Sequence, residues 1–118
     1  MNKNHIYAIR DPHGFRPLVL GELNDSYVVA SETCTFDIID ATYTREIEAG
    51  EILEISDFGL KSFFPFEKKK QSLCIFEYIY FSRPDSIIFG ESVHEMRLQL
   101  GAMLAQQSPV EADIVIPI

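Results

Sequence analysis

The chain has 118 residues, which fits one domain or part of a larger protein. A hydrophobic fraction of 47% supports a real core, while a formal net charge of -8 disfavours nucleic-acid binding. No apolar run approaches the roughly 18 residues needed to span a bilayer, and residues 1–5 lack the apolar core of a signal peptide. We therefore expect a cytoplasmic protein.

Short apolar segments separated by turn residues predict a strand-rich first part. Gly and Pro, which favour turns, lie between these segments. Gly50 ends the segment between the predicted helix and the next predicted strand. The predicted elements are strands at residues 6–9, 18–21, 27–30, 51–55 and 60–64 and a short helix that begins at Ser31 or Thr33 and ends near Asp40.

A continuous apolar and aromatic run at residues 74–81 predicts the central strand of a layered fold. On a two-residue period both faces of this run are mostly apolar, which indicates cover on both sides. Glu77 lies in the middle of the run, where a carboxylate is costly unless it is paired or hydrogen-bonded. Arg10, Arg16 and Arg83 are candidate partners for this charge.

The chain changes character after residue 86. Ser92 followed by Glu95 forms a capping box, and apolar residues then recur at helical spacing as far as residue 104. These signals predict a helix over residues 93–107, stopped by Ser108 and Pro109. Residues 113–118 predict a final buried strand.

Five segments resemble one family, in order and in spacing. Ala49 stands where that family usually has proline, within the third segment. The segments are RDPHGFRPL (residues 10–18), VASETC (29–34), REIEAGE (45–51), CIFEYIYFSRPDS (74–86) and PVEADIVIP (109–117). The chain thus resembles amidophosphoribosyltransferase, also called glutamine phosphoribosylpyrophosphate amidotransferase.

The resemblance implies an α+β fold in two parts. Residues 1–86 would form the second half of an N-terminal-nucleophile hydrolase-type αββα sandwich, which is the glutaminase domain. Residues 87–118 would supply a junction helix and the first strand of a phosphoribosyltransferase α/β domain. The chain would then be an internal fragment of the family's enzyme.

The resemblance also implies an activity for the intact enzyme. The family transfers the amide nitrogen of glutamine to phosphoribosylpyrophosphate and forms phosphoribosylamine, the first step of de novo purine synthesis. Its cysteine nucleophile stands at a mature N-terminus, whereas position 2 here is asparagine. The phosphoribosyl-binding loop would follow residue 118. We therefore expect no catalytic residue in this chain and no activity from it alone.

Phe76 and Tyr80 match family positions near the path of ammonia between the two active sites, so they are candidates for the channel or the domain junction. The alternative is that they are two core aromatic residues. Glu77 and Arg83 are candidate buried charges, for which a structural ion pair is favoured over general acid chemistry.

Cys74 matches one ligand of the 4Fe-4S cluster that some family members carry, and the alternative is a core cysteine. The resemblance implies no cofactor in this chain, and Mg²⁺ with or without that cluster in the intact enzyme.

Two further hypotheses stand beside the enzyme fragment. The chain could be a truncated or decayed non-catalytic remnant or an interaction module of a split enzyme, or it could be a small independent α+β domain. Its expected partners are the remaining glutaminase and phosphoribosyltransferase segments, in an intact enzyme that forms homo-oligomers. Glutamine and phosphoribosylpyrophosphate would bind only to that intact enzyme, and neither nucleic acid nor membrane is expected to be a partner.

Overall fold

The computed structural model of the chain describes residues 4–116, and these form a mixed α and β structure. The last two residues of the predicted final strand lie outside that range. The strands are β1 (His5–Ile9), β2 (Val19–Leu23), β3 (Ser26–Ala30), β4 (Thr42–Glu46), β5 (Ile52–Ser56), β6 (Gly59–Phe63), β7 (Ile87–Ile88) and β8 (Glu91–Ser92). The helices are α1 (Cys34–Ile39), a short π-helix (Glu77–Phe81) and α2 (Val93–Gln107).

Two antiparallel sheets share the main core. One has the strand order β1-β5-β6 and the other has the order β3-β2-β4. Buried side chains from both sheets meet in one cluster, so the two sheets pack face to face. The cluster consists of Ala8, Leu20, Ile47, Leu53 and Ile55, with Leu18, Tyr27 and Val29 packed against it.

The β2–β3 hairpin closes through a two-residue turn at Asn24 and Asp25. Both residues have positive φ, 47° and 62°, which matches the right-handed twist of the strands on either side. Asn and Asp tolerate this conformation better than other residues with a side chain, so the local sequence suffices to specify the hairpin.

Helix α1 packs on the outer face of the β3-β2-β4 sheet. Its Phe36 is buried, and the ring lies against Gly21 of β2 and near Tyr43 of β4. A Cβ on Gly21 would stand 2.8 Å from the Thr42 carbonyl oxygen and 2.9 Å from Phe36 Cε1. Glycine at this position lets the helix approach the sheet closely.

Glu51 is a fully buried carboxylate that links the two main sheets, through Arg45 of β4 and Ser62 of β6. Its Oε1 accepts hydrogen bonds from Arg45 Nη2 at 2.7 Å and Ser62 Oγ at 2.6 Å. Its Oε2 accepts from Arg45 Nη1 at 2.9 Å and from the Glu48 amide at 2.7 Å. Burial by itself would raise the pKa of Glu51, but these donors outweigh it and lower the pKa to about 2.

A second, smaller core joins the π-helix to the segment that follows residue 86. Tyr78, Ile88 and Val93 are buried together, with Phe89 and Met96 packed against them. These residues come from the π-helix, the β7–β8 hairpin and the first turn of α2. The Ser92 hydroxyl accepts a hydrogen bond from the Glu95 amide at 3.4 Å, so the predicted N-cap and the bounds of α2 are confirmed.

Beyond its first turn, α2 has little cover. Every described residue from 98 to 116 is exposed, including Leu100, Met103 and Leu104 of the predicted apolar stripe. The described part is accordingly elongated, with principal extents of 61 × 35 × 18 Å. Among residues 4–116, no helix has the length and apolar character needed to cross a membrane.

The prediction of a strand at residues 74–81 is wrong. This run is helical, beginning with bonds from the Glu77 amide to the Cys74 carbonyl and from the Ile79 amide to the Ile75 carbonyl. It ends with the Ser82 amide bonded to the Glu77 carbonyl, the i to i+5 pattern of a π-helix. A short apolar run does not by its period distinguish a strand from a helix.

Three other differences concern strands. Residues 113–116 of the predicted final strand form no strand in the described part, where they pair with no other segment. Strand β4 and the β7–β8 hairpin were not predicted. The β7–β8 turn has positive φ at Phe89, which the sequence pattern does not signal.

We predict that Gly21→Ala lowers the free energy of unfolding by about 1–3 kcal/mol, because the methyl group would overlap Phe36 and the Thr42 carbonyl. Gly101→Ala is the matched control, since a Cβ there meets nothing within 4 Å and alanine favours the α2 helix. Urea denaturation of both variants gives the comparison. Equal stability of Gly21→Ala and the unchanged chain would contradict the packing described.

A second prediction concerns pH. Because the pKa of Glu51 is lowered from its ordinary value of 4.5 to about 2, its contribution to stability is complete above pH 4.5. That contribution, about 3 kcal/mol, should be lost as pH falls toward 2. In Glu51→Gln, the free energy of unfolding should therefore vary less steeply with pH between pH 2 and pH 7. Glu67→Gln, at an exposed position, should keep the original slope.

Candidate functional site

The predicted site residues lie on and around the π-helix. Phe76 precedes it, Glu77 and Tyr80 lie within it, Cys74 lies two residues before Phe76, and Arg83 follows its end. The structure therefore brings Phe76, Glu77 and Tyr80 onto one helical turn. The turn has one buried side and one exposed side, instead of the two covered faces expected of a central strand.

Glu77 is buried, with 2% of its surface exposed, and its charge partner is Arg16. Arg16 Nε lies 2.7 Å from Glu77 Oε1, and the Ser82 hydroxyl donates to Oε2 at 2.9 Å. The Arg16 contact is a close ion pair, but Oε1 has no well-aligned hydrogen-bond donor within the described residues. The Arg16 guanidinium also lies over the Phe81 ring, 4.8 Å from its centroid.

Arg83 is not a buried charge. Its guanidinium is exposed and binds Asp85 Oδ1 at 3.1 Å and Oδ2 at 2.7 Å. The prediction for Arg83 is wrong because the turn after the π-helix directs the side chain outward. The buried polar side chains at this turn are Ser82 and Ser86, and the Ser86 hydroxyl donates to Glu32.

Glu32 and Thr33 anchor the turn that follows the π-helix. Glu32 Oε2 accepts from the Arg83 amide at 2.8 Å and from the Ser86 hydroxyl at 2.9 Å. The Thr33 hydroxyl accepts from the Ile87 amide at 2.8 Å, so Thr33 does not cap α1 with its side chain. The VASETC segment thus holds the SRPDS turn in place.

Phe76 and Tyr80 are exposed, with 56% and 79% of their surfaces accessible. The core-aromatic alternative therefore does not describe residues 4–116. Phe76 and Tyr80 each contact the Phe81 ring, at centroid distances of 6.2 and 5.9 Å. With their exposed apolar neighbours they form one aromatic surface, defined as Ile75, Phe76, Ile79, Tyr80 and Phe81.

Tyr78 and Arg97 hold the opposite side of the π-helix, and the sequence analysis did not single them out. The Tyr78 hydroxyl donates to the Ile88 carbonyl at 3.0 Å, and burial, followed by the charges of Glu91 and Glu46, raises its pKa.

Half-buried Arg97 donates to the carbonyls of Tyr78 and Ser82. The available signal for Arg97 was its position four residues after Val93, on the same side of α2.

The two cysteines are free thiols. Cys34 is buried, whereas Cys74 is half-buried, and the Cys74 amide donates to the Phe15 carbonyl at 3.1 Å. A 4Fe-4S cluster requires four thiolates, so this chain alone could not hold one. Residues 4–116 contain no group of three or more His, Cys, Asp or Glu side chains arranged to hold a metal ion.

The chemistry available on the aromatic surface is binding rather than catalysis. Its side chains carry no nucleophile beside a base, and the one carboxylate of the turn, Glu77, is buried in an ion pair. Five apolar side chains are exposed together on this short segment. Such a surface is typical of a place where another protein segment packs, or of the lining of an apolar passage.

The chain has a mixed α and β structure. It consists mainly of two packed three-stranded sheets, one outer helix and one projecting helix. No family model matches it. It is 54% identical over 115 residues to the amidophosphoribosyltransferase of Bacillus subtilis, covering 98% of this chain and 24% of that protein. It is 50% identical over 119 residues to amidophosphoribosyltransferase 1, chloroplastic, of Arabidopsis thaliana, covering all of this chain and 21% of that protein.

Solved structures agree. The glutamine phosphoribosylpyrophosphate amidotransferase of B. subtilis, complexed with ADP and GMP, superimposes with a TM-score of 0.90 at 54% identity, over 96% of this chain and 25% of that chain. A structure described as the allosteric regulatory enzyme of purine biosynthesis gives a TM-score of 0.91. The chain belongs to the amidophosphoribosyltransferase family, and it spans about a quarter of the length of the relatives it matches.

We predict that Arg16→Met lowers the free energy of unfolding by about 1–3 kcal/mol, because it leaves the buried Glu77 carboxylate without its charge partner. Arg83→Met removes the same charge from an exposed pair and should leave the free energy of unfolding nearly unchanged. Adding Glu77→Gln to Arg16→Met should recover part of the loss. Equal effects of the two arginine variants in chemical denaturation would rule out this pairing.

Proposed function

We propose that this chain is a segment of an enzyme that transfers the amide nitrogen of glutamine to phosphoribosylpyrophosphate. In the overall reaction glutamine, water and phosphoribosylpyrophosphate give glutamate, phosphoribosylamine and pyrophosphate. The observation that carries the proposal is the 54% identity to an amidophosphoribosyltransferase across nearly the whole chain, with a TM-score of 0.90 to a solved member.

Within that enzyme, residues 1–86 would complete a glutaminase-type domain of the N-terminal-nucleophile sandwich. Residues 87–118 would open the phosphoribosyltransferase-type domain. The packed sheets of the first part and the uncovered helix α2 of the second support this division. The aromatic surface would lie at the junction, with Phe76 and Tyr80 beside the path of ammonia. Aromatic rings suit such a path, because they present no charge to a neutral molecule.

The segment itself would be catalytically inactive, and its contribution would be structural. Glutamine, phosphoribosylpyrophosphate and Mg²⁺ would be bound by other parts of a homo-oligomeric enzyme. Cys74 could supply one ligand of a 4Fe-4S cluster only if the remaining cysteines came from outside this chain. No step of the reaction is assigned to that cluster.

A second candidate is an interaction module of a split enzyme, which acts by assembling with separately made segments. The uncovered apolar residues of α2, together with the aromatic surface, favour this alternative. In both cases these surfaces are covered by other parts of the same enzyme.

A chimera tests the proposal. Residues 1–118 replace the matching quarter of the B. subtilis enzyme, and glutamine-dependent phosphoribosylamine formation is measured. We expect activity within about tenfold of the parent, equivalent to about 1.4 kcal/mol in the activation barrier. The parent lacking this quarter serves as the control and should be inactive, as should the 118-residue chain alone.

A folded chimera without activity would refute the proposed function. Turnover by the isolated chain would refute the structural role given to the segment. Adding the isolated chain to the shortened parent distinguishes the two candidates, because only an interaction module should restore activity without a covalent link.

A further inference from the structure

We propose that Arg97 is a positioning residue that holds the π-helix, and with it the aromatic surface, in register with helix α2. The inference rests on the proposed function, in which the aromatic surface borders the path of ammonia. Arg97 touches neither of the rings named for that path. It acts through the backbone of the turn that carries them.

The geometry is a two-pronged contact. Arg97 Nε donates to the Tyr78 carbonyl at 2.6 Å, and Nη2 donates to the Ser82 carbonyl at 2.8 Å. A helix leaves its last carbonyls without partners inside the helix, and a guanidinium supplies several donors in a fixed plane. Arg97 therefore caps the π-helix across its final turn, and a positive charge there also complements the helix dipole.

The π-helix needs such support, because its i to i+5 bonding is rare and it is only five residues long. Arg16 supports it from the other side by pairing with Glu77 and covering Phe81. One arginine comes from the turn after β1 and the other comes from α2. The π-helix is thus held by side chains from both parts of the chain. A displacement of α2 would therefore move the aromatic surface, because two hydrogen bonds connect them.

A lysine at position 97 could donate to one of the two carbonyls but could not span both in the planar fork of arginine. A glutamine would lose the charge as well. Arg83, which is exposed and paired with Asp85 through its side chain, is the matched control for removing a cation from this region.

The first experiment uses the active chimera and measures glutamate released per phosphoribosylamine formed. With the path intact this ratio is close to one, and in Arg97→Gln we expect it to rise at least about threefold, with Arg97→Lys in between. Synthesis from added ammonia should fall less than synthesis from glutamine, because added ammonia bypasses the path. Arg83→Gln should keep the ratio of the unchanged chimera.

A merely structural role would lower glutamate release and phosphoribosylamine formation together and leave their ratio unchanged. That result would overturn the inference while leaving the proposed function standing. Loss of all activity in the unchanged chimera would instead count against the proposed function.

The second experiment needs no activity and uses the 118-residue chain. The Ser82 amide, which closes the π-helix on the Glu77 carbonyl, should exchange its hydrogen at least about tenfold faster in Arg97→Gln than in the unchanged chain. The amide of Leu53 in β5 provides the reference, and Arg83→Gln should exchange at the unchanged rate. Equal exchange at Ser82 in all three chains would overturn the proposed role of Arg97.

Discussion

The buried carboxylate of Glu77 is the constraint on which the π-helix and the smaller core beside it depend. A charge with 2% exposure must be compensated, and Arg16 and the Ser82 hydroxyl provide the compensation. Ser82 can reach Glu77 because the segment between them is helical. Once Glu77 points inward, Tyr78 joins the small core, while Phe76 and Tyr80 remain on the exposed side. A single buried charge thus determines which aromatic residues the chain presents.

A similar arrangement stabilises the two main sheets, where the Glu51 carboxylate links Arg45 of β4 to Ser62 of β6. The two sheets have local connections and a shared apolar core, whereas α2 is anchored only through its first turns. This contrast fits a segment that is one quarter as long as its relatives. The two sheets form a core between themselves, whereas α2 leaves apolar side chains uncovered within the described residues.

The β2–β3 and β5–β6 hairpins and α2 were predictable because their signals are local. Turn residues lie between short apolar segments, and Ser92 with Glu95 marks a helix start whose bounds the structure confirms. The site was predictable only in outline. Sequence reasoning found the segment and Glu77, left its partner open among three arginines, and wrongly gave Arg83 a buried position. It missed Arg97, because a donor to backbone carbonyls leaves no pattern in side-chain composition.

The sequence by itself determined the family, the β2–β3 and β5–β6 hairpins and the limits of α2, since each depends on residues that are close together or on motifs in a set order. Only the tertiary structure decided that residues 77–81 form a π-helix and not a strand. Apolar residues on both faces of a short run suit either conformation. In the folded chain this helix contacts Arg16 and Arg97, both distant in sequence from Glu77, and such contacts are not visible in the local pattern.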